Sequence, residues 1–205
     1  MKNLIKTIAM LFITIFANSC SKQEEASKPI KTVTDLSFEN NTLLDIPIAP
    51  AGLYSYADSN IDVTNTANLI NTSKLVLELN LENNIQSTIS CQLVSPDGKK
   101  STFIYKPGIF YTIGNYKGFI GTTKLRFSSA FTNLLPNNNV DFPAGDYKGG
   151  LGTNFDIGYI ENPIFKKFEN SAINGNWRLS VLNFDRINKA RLISWRLVFE
   201  AGSLN

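Results

Sequence analysis

Leu75-Val76-Leu77-Glu78-Leu79-Asn80-Leu81 is the stretch that decides the fold. Leucine recurs at every second position, and Glu78 and Asn80 fall between. Successive side chains of a strand point to opposite faces, so this spacing places all four leucines on one face. A polar connection, Glu82-Asn83-Asn84, ends the run. The next run, IQSTISCQLV, puts Ile85, Ile89, Cys91 and Leu93 on a shared face. Ser95-Pro96-Asp97-Gly98 then predicts a tight turn, because proline presets φ and glycine accepts a positive one. Phe103 and Tyr105 begin a returning strand.

The same period extends in both directions. Leu44, Ile46 and Ile48 alternate upstream, and Leu125 and Phe127 mark a strand in KLRFS. Near the end Trp177, Leu179 and Val181 alternate, as do Ile193, Trp195, Leu197 and Phe199. No amphipathic helix follows residue 33. Residues 107–121, PGIFYTIGNYKGFIG, are Gly-rich and aromatic, and residues 132–155 form a long connection. Many short strands separated by turns predict an all-β, antiparallel β-sandwich. The long crossings favour a jelly roll of the galactose-binding-like kind.

The first nineteen residues read differently. Lys2 and Lys6 precede an apolar run from Ile8 to Phe16, and no acid occurs before Glu24. That is the pattern of a signal peptide, short for a bilayer span. Ala17-Asn18-Ser19-Cys20 resembles a bacterial lipobox, which implies cleavage before Cys20 and lipidation of its thiol. An ordinary secretory signal with an incidental cysteine is the plainer alternative. Acyl chains on Cys20 would anchor the protein to the membrane. Residues 20–33 continue as a polar, aperiodic tether that lacks the apolar surface to fold. Its thirteen residues after Cys20 reach roughly 40 Å when extended. Ser21-Lys22-Gln23-Glu24-Glu25 resembles the acidic export signal of surface-exposed Bacteroidetes lipoproteins. The expected location is the cell envelope, anchored to the outer membrane and displayed at the surface. Residues 34–205 form the expected folded domain.

Composition removes several functions. The chain contains no histidine, which excludes Ser-His-Asp and Cys-His catalysis and His-ligated zinc within it. Two of the twenty basic residues lie before Cys20, leaving 18 against 17 acidic ones. No basic stripe appears, so nucleic acid is not an expected partner. The cysteines are Cys20 and Cys91 alone. No disulfide framework is expected, and the domain must rest on its core.

Four rings, Phe110, Tyr111, Tyr116 and Phe119, form a candidate ligand-binding loop, since tyrosine with glycine in exposed loops makes adaptable contact surfaces. The structural alternative is that they cap an open end of the sandwich. Asp141, Asp146 and Asp156 lie in or beside the long Gly-rich connection, where clustered oxygens would suit calcium. Their spacing is not that of an EF-hand, and scattered surface carboxylates are ordinary. Trp177, Trp195 and Cys91 lie in phase with aliphatic neighbours and read as core.

Three blocks carry a family resemblance. The first is Leu75 to Gly98, ending in Leu93-Val94-Ser95-Pro96-Asp97-Gly98. The second is Phe142-Pro143-Ala144-Gly145-Asp146-Tyr147. The third is Phe168, then Asn174-Gly175-Asn176-Trp177-Arg178-Leu179-Ser180-Val181, then Leu192 to Phe199 with Trp195 eighteen residues after Trp177. Together they resemble the P domain, the β-sandwich module that follows the catalytic domain in subtilisin-like proprotein convertases. The likeness spans roughly residues 44–200. It departs from the family at Asn80-Leu81, Gln86-Ser87-Thr88, Ser128-Ser129, Asn183 and Ala190. Several of these replace acids that bear on ion binding in some relatives. The resemblance implies a role beside proteolysis, but the chain has neither room for the protease domain nor its histidine. The expectation is a module without enzymatic activity that binds a protein partner. A carbohydrate-binding module and an accessory subunit of a separate peptidase are the alternatives.

Overall fold

A computed structural model describes residues 34–107, 118–136, 141–151 and 162–205. Two sheets face each other. One contains β1 (Leu36–Asn40), β2 (Leu44–Ile46), β4 (Leu75–Asn83), β7 (Phe119–Ile120), β8 (Leu125–Phe127), β9 (Gly145–Tyr147) and β12 (Ala190–Phe199). Its order is β1-β12-β4-β8-β9, with β2 paired to β12 and β7 to β4. The other contains β3 (Ser55–Val63), β5 (Ile89–Val94), β6 (Lys100–Tyr105), β10 (Gly150–Leu151) and β11 (Gly175–Asn183), in the order β10-β6-β5-β11-β3. The protein is an all-β sandwich, as the alternation predicts.

The leucine face of β4 is the centre of the core. Leu75, Leu77, Leu79 and Leu81 are buried, together with Ile89, Cys91 and Leu93 of β5 and Trp177, Leu179 and Val181 of β11. Phe103 meets Phe127 across the two sheets, with ring centroids 5.0 Å apart. Trp177 packs edge-on against Phe168 at 5.3 Å and lies 5.9 Å from Phe199. Each indole also has a polar partner. Trp177 Nε1 donates to the Ile173 carbonyl and Trp195 Nε1 to Ser59 Oγ, both at 2.9 Å. Burial of rings this size stabilises the sandwich by several kcal/mol each, at roughly 25 cal/mol per Å².

Three details differ from the period-two reading. Ile85 is not in a strand, because the Asn83 side chain accepts from the Ile85 N–H at 2.7 Å and the Thr88 hydroxyl donates to the Ile85 carbonyl at 2.7 Å. These local bonds replace the ladder with a turn, and β5 starts at Ile89. A bulge between Leu192 and Ser194 moves Leu192 into the core, while Ile193 is half-buried. The sheets are also not wholly antiparallel: β8 runs parallel to β9 and β10 to β6. A long stretch of chain separates β8 from β9 and β6 from β10, which lets each later strand run in the same direction as its partner.

The strand registers define two ends. Leu36 and Leu75 both pair with Phe199, and Val63 pairs with Gly175, so the chain enters the sandwich at this end. The Ser95–Gly98 turn lies here, closed by a Gly98 N–H bond to the Ser95 carbonyl at 2.9 Å, with Gly98 φ at +82°. At the opposite end Ser55 pairs with Asn183 and Ile46 with Ala190. A nine-residue strand spans roughly 30 Å, which separates the two ends.

Candidate interaction surface

The end opposite chain entry is built from two loops, residues 47–54 and 184–189. The first turns on Pro50–Leu53, where the Leu53 N–H donates to the Pro50 carbonyl at 3.1 Å and Gly52 has φ +77°. A type II turn needs that positive φ at its third residue. The second is folded around Asp185, which is buried. Asp185 Oδ1 accepts from the Ile187 N–H and Oδ2 from Asn188 Nδ2, each at 2.8 Å. Asn183 fastens the loops together: its amide donates to the Pro47 carbonyl at 3.0 Å and the Asn188 carbonyl at 2.9 Å, while its oxygen accepts from the Asp185 N–H at 2.9 Å. The Ala49 N–H donates to the Asp185 carbonyl at 2.7 Å.

This scaffold holds apolar side chains out in water. Leu53 is 65% exposed, Tyr56 62% and Ile187 78%, and Ile48 and Tyr54 are exposed with them. Tyr54 rests on Phe184 at 5.5 Å, and Lys106 Nζ lies 3.7 Å from the Phe184 ring centre. Burial lowers the Lys106 pKa, while the ring face favours its charged form. Exposed apolar groups gathered on pinned loops and rimmed by polar groups mark interaction sites.

Of the four rings expected to bind ligand, Phe110, Tyr111 and Tyr116 lie outside the described residues. Phe119 is a correction. It is buried on β7, with its ring 4.6 Å from Phe142, and packs into the core rather than presenting a contact surface. The residues flanking that segment sit at the tip end: the Lys106 N–H donates to the Ile89 carbonyl at 2.7 Å, and Gly118 abuts Asn83. Leu53, Tyr54, Tyr56 and Ile187 were not singled out in the sequence. PAGLYSY, residues 50–56, carries the same turn-plus-tyrosine signal as the aromatic loop, and that signal marks the tip.

Of the three aspartates expected to suit calcium, Asp141 and Asp146 are among the described residues, and each has its own partner. Asp141 is exposed and accepts from the Gly118 N–H at 3.1 Å. Asp146 receives Arg126 Nη1 on both oxygens, at 2.9 and 3.1 Å. Asp156 lies outside the described residues, as does Cys20. No group of three His, Cys, Asp or Glu among the described residues stands ready for a metal. Cys91 is buried, and burial pushes its thiol pKa far up, so it is inert.

Two polar clusters elsewhere are closed on themselves. On the outer face of the seven-stranded sheet, the nearly buried Glu78 meets Lys124 at 3.2 Å, Arg196 at 3.3 Å and Arg126 at 3.5 Å. Glu78, Lys124 and Arg196 line a polar groove of about 210 Å³ with Glu39, Asn80 and Ser194. At the entry end Asp97 accepts from Ser95 and Ser171 and pairs with Lys99 at 2.9 Å. Partial burial works to raise the Asp97 pKa, but the bonds from Ser95, Lys99 and Ser171 and the Lys99 charge outweigh it and hold it at about 2. Lys99 Nζ donates to Ser171 Oγ at 2.7 Å while it pairs with Asp97. This cluster clips the Ser95–Gly98 turn to Ser171.

The fold and the tip define a β-sandwich with an outward apolar end. No protein-family model and no curated protein matches the chain. Among solved structures it is similar to the serine protease of Aeromonas sobria, at 13% identity, covering 81% of this chain and 27% of that one, with a TM-score of 0.36. The complex of that protease with its chaperone matches at 14% identity, 80% and 27% coverage and a TM-score of 0.35. The chain thus spans about a quarter of the length of each.

Proposed function

We propose that this chain is a lipid-anchored, P-domain-like binding module without catalytic activity of its own, which holds a protein partner at its apolar tip. One observation carries the reading: Leu53, Tyr54 and Ile187 stand exposed on hydrogen-bonded loops, with Tyr56 exposed beside them on β3, at the end opposite chain entry. Preordered loops lose little entropy on binding, and aliphatic and tyrosine side chains supply contact area. The lipobox-like Ala17–Cys20 and the polar tether supply the anchoring. The absence of histidine supports the non-catalytic role.

Two experiments test this. Mass spectrometry of the mature N-terminus, with protease shaving of intact cells, should find acylated Cys20 and release residues 34–205 from whole cells. An unmodified Cys20 contradicts the anchoring, and a domain protected until lysis contradicts surface display. Replacing Leu53 and Ile187 together by Asp should leave the fold intact and abolish retention of the partner that the parent chain co-purifies. Unchanged retention removes the tip as the binding surface.

A further inference from the structure

An open sheet edge adjoins the tip. β3 is the outermost strand of its sheet and pairs with β11 on one side only. In an antiparallel pair each residue turns its N–H and its C=O to the same side. The Asn60 carbonyl accepts from Asn40 Nδ2 at 2.8 Å, so it faces outward. Asp58 and Tyr56, two and four residues before it, face outward too. Among the described residues nothing hydrogen-bonds to the backbone of either. Farther along, the Asn40 amide occupies the edge at Asn60. The open part of β3 is therefore the part nearest the tip, and Tyr56 belongs to both.

The exposed charge of the two tip loops is positive. Residues 47–54 carry no charge. Asp185, the one acid of residues 184–189, is buried and holds its own loop with both oxygens. Arg186 is exposed and makes no ion pair among the described residues, and Lys189 approaches Asp45 only to 3.9 Å. On the edge itself the Asp58 carboxylate is answered by Arg178 at 3.6 Å and Ser180 Oγ at 2.5 Å.

Resting on the tip reading above, we infer that the partner contributes an extended acidic segment with apolar side chains, added to β3 as a sixth strand beside Tyr56–Asp58. Its backbone pairs with the N–H and C=O groups of Tyr56 and Asp58. An apolar side chain lies on Leu53 and Tyr54, and a carboxylate meets Arg186. In strand addition main-chain bonds supply affinity and side-chain contacts supply selectivity.

The test uses random linear peptides displayed and selected against the full chain. Selected peptides should combine Asp or Glu with alternating apolar residues. They should bind Tyr56→Pro about fivefold more weakly than Tyr56→Ala, which loses the same side chain but keeps the N–H, since the one lost edge bond is worth about 1 kcal/mol. The Tyr56 N–H faces outward, so proline leaves the β11 ladder intact and melting unchanged. N-methylation of alternate peptide amides should cause the same loss, and selection on Arg186→Glu should yield basic peptides. Peptides that bind Tyr56→Pro as tightly as Tyr56→Ala overturn strand addition while the tip reading stands. A selection that recovers no peptide, while Leu53 still cross-links to protein in cells, also overturns it alone. No peptide and no cross-link overturns both. Tip-dependent pelleting with phosphatidylglycerol vesicles in place of peptide binding assigns the surface to lipid and overturns the inference.

Discussion

The Tyr54 ring lies against Phe184 at 5.5 Å, and this contact joins the two loops that make the tip. The loops come from chain segments about 130 residues apart, so neither can be shaped alone. Behind the ring pair, Asn183 and Asp185 supply the hydrogen bonds that set the loop backbone.

Asp185→Ala should therefore cost more than an ordinary surface change. It leaves the Ile187 N–H and the Asn188 amide without their acceptor in a partly buried turn, a loss of about 1–3 kcal/mol. Urea unfolding measures it. Partner affinity should fall in parallel, because the loop that carries Ile187 loses its frame.

Leu53→Asp should do the reverse. Leu53 is mostly in water, so stability should change by no more than about 0.5 kcal/mol, while binding at the tip is lost. Thermal melting and a pull-down on the same preparation separate the two effects.

The Asp97 clip gives a pH dependence with a definite sign. Its carboxyl sits at about 2 in the fold against an ordinary 3.8. A carboxylate held low in the folded state stabilises above its unfolded pKa and loses that contribution as pH falls from about 4 toward 2. Asp97→Asn should be less stable at pH 7 by about 1 kcal/mol, a value discounted for solvent exposure, and the gap should close near pH 2. Urea midpoints of both proteins from pH 7 to 2 test this.

Gly118→Ala should destabilise by about 1–3 kcal/mol or block folding, as overpacking does. A β-carbon there would lie 1.8 Å from the Asn83 carbonyl oxygen. Trp177→Ala should cost about 3–5 kcal/mol, the usual range for a buried ring. Calorimetric melting of both variants is the check.

The sandwich was legible because its strands are long and half-buried, so residues such as Leu75 to Leu81 repeat with the period of the backbone. Phase errors arose where local polar groups override that period. The Asn83 and Thr88 side chains turn Ile85 out of β5, and the bulge after Leu192 exchanges it for Ile193. The tip was less legible. Its residues are unremarkable one at a time, and they meet only because β3 and β11 pair from Ser55 to Asn183. Phe119 shows the converse: a ring in a Gly-rich aromatic segment reads as a loop contact until β7 pairs with β4 and turns it inward.

The most direct test of the tip is a photo-cross-linking amino acid placed at Leu53 in one strain and at Lys100, at the entry end, in another. After irradiation of intact cells, the account predicts a discrete protein adduct from Leu53 that is lost on Arg186→Glu and absent from Lys100. Adducts of equal yield from both positions, or none from Leu53, would contradict it.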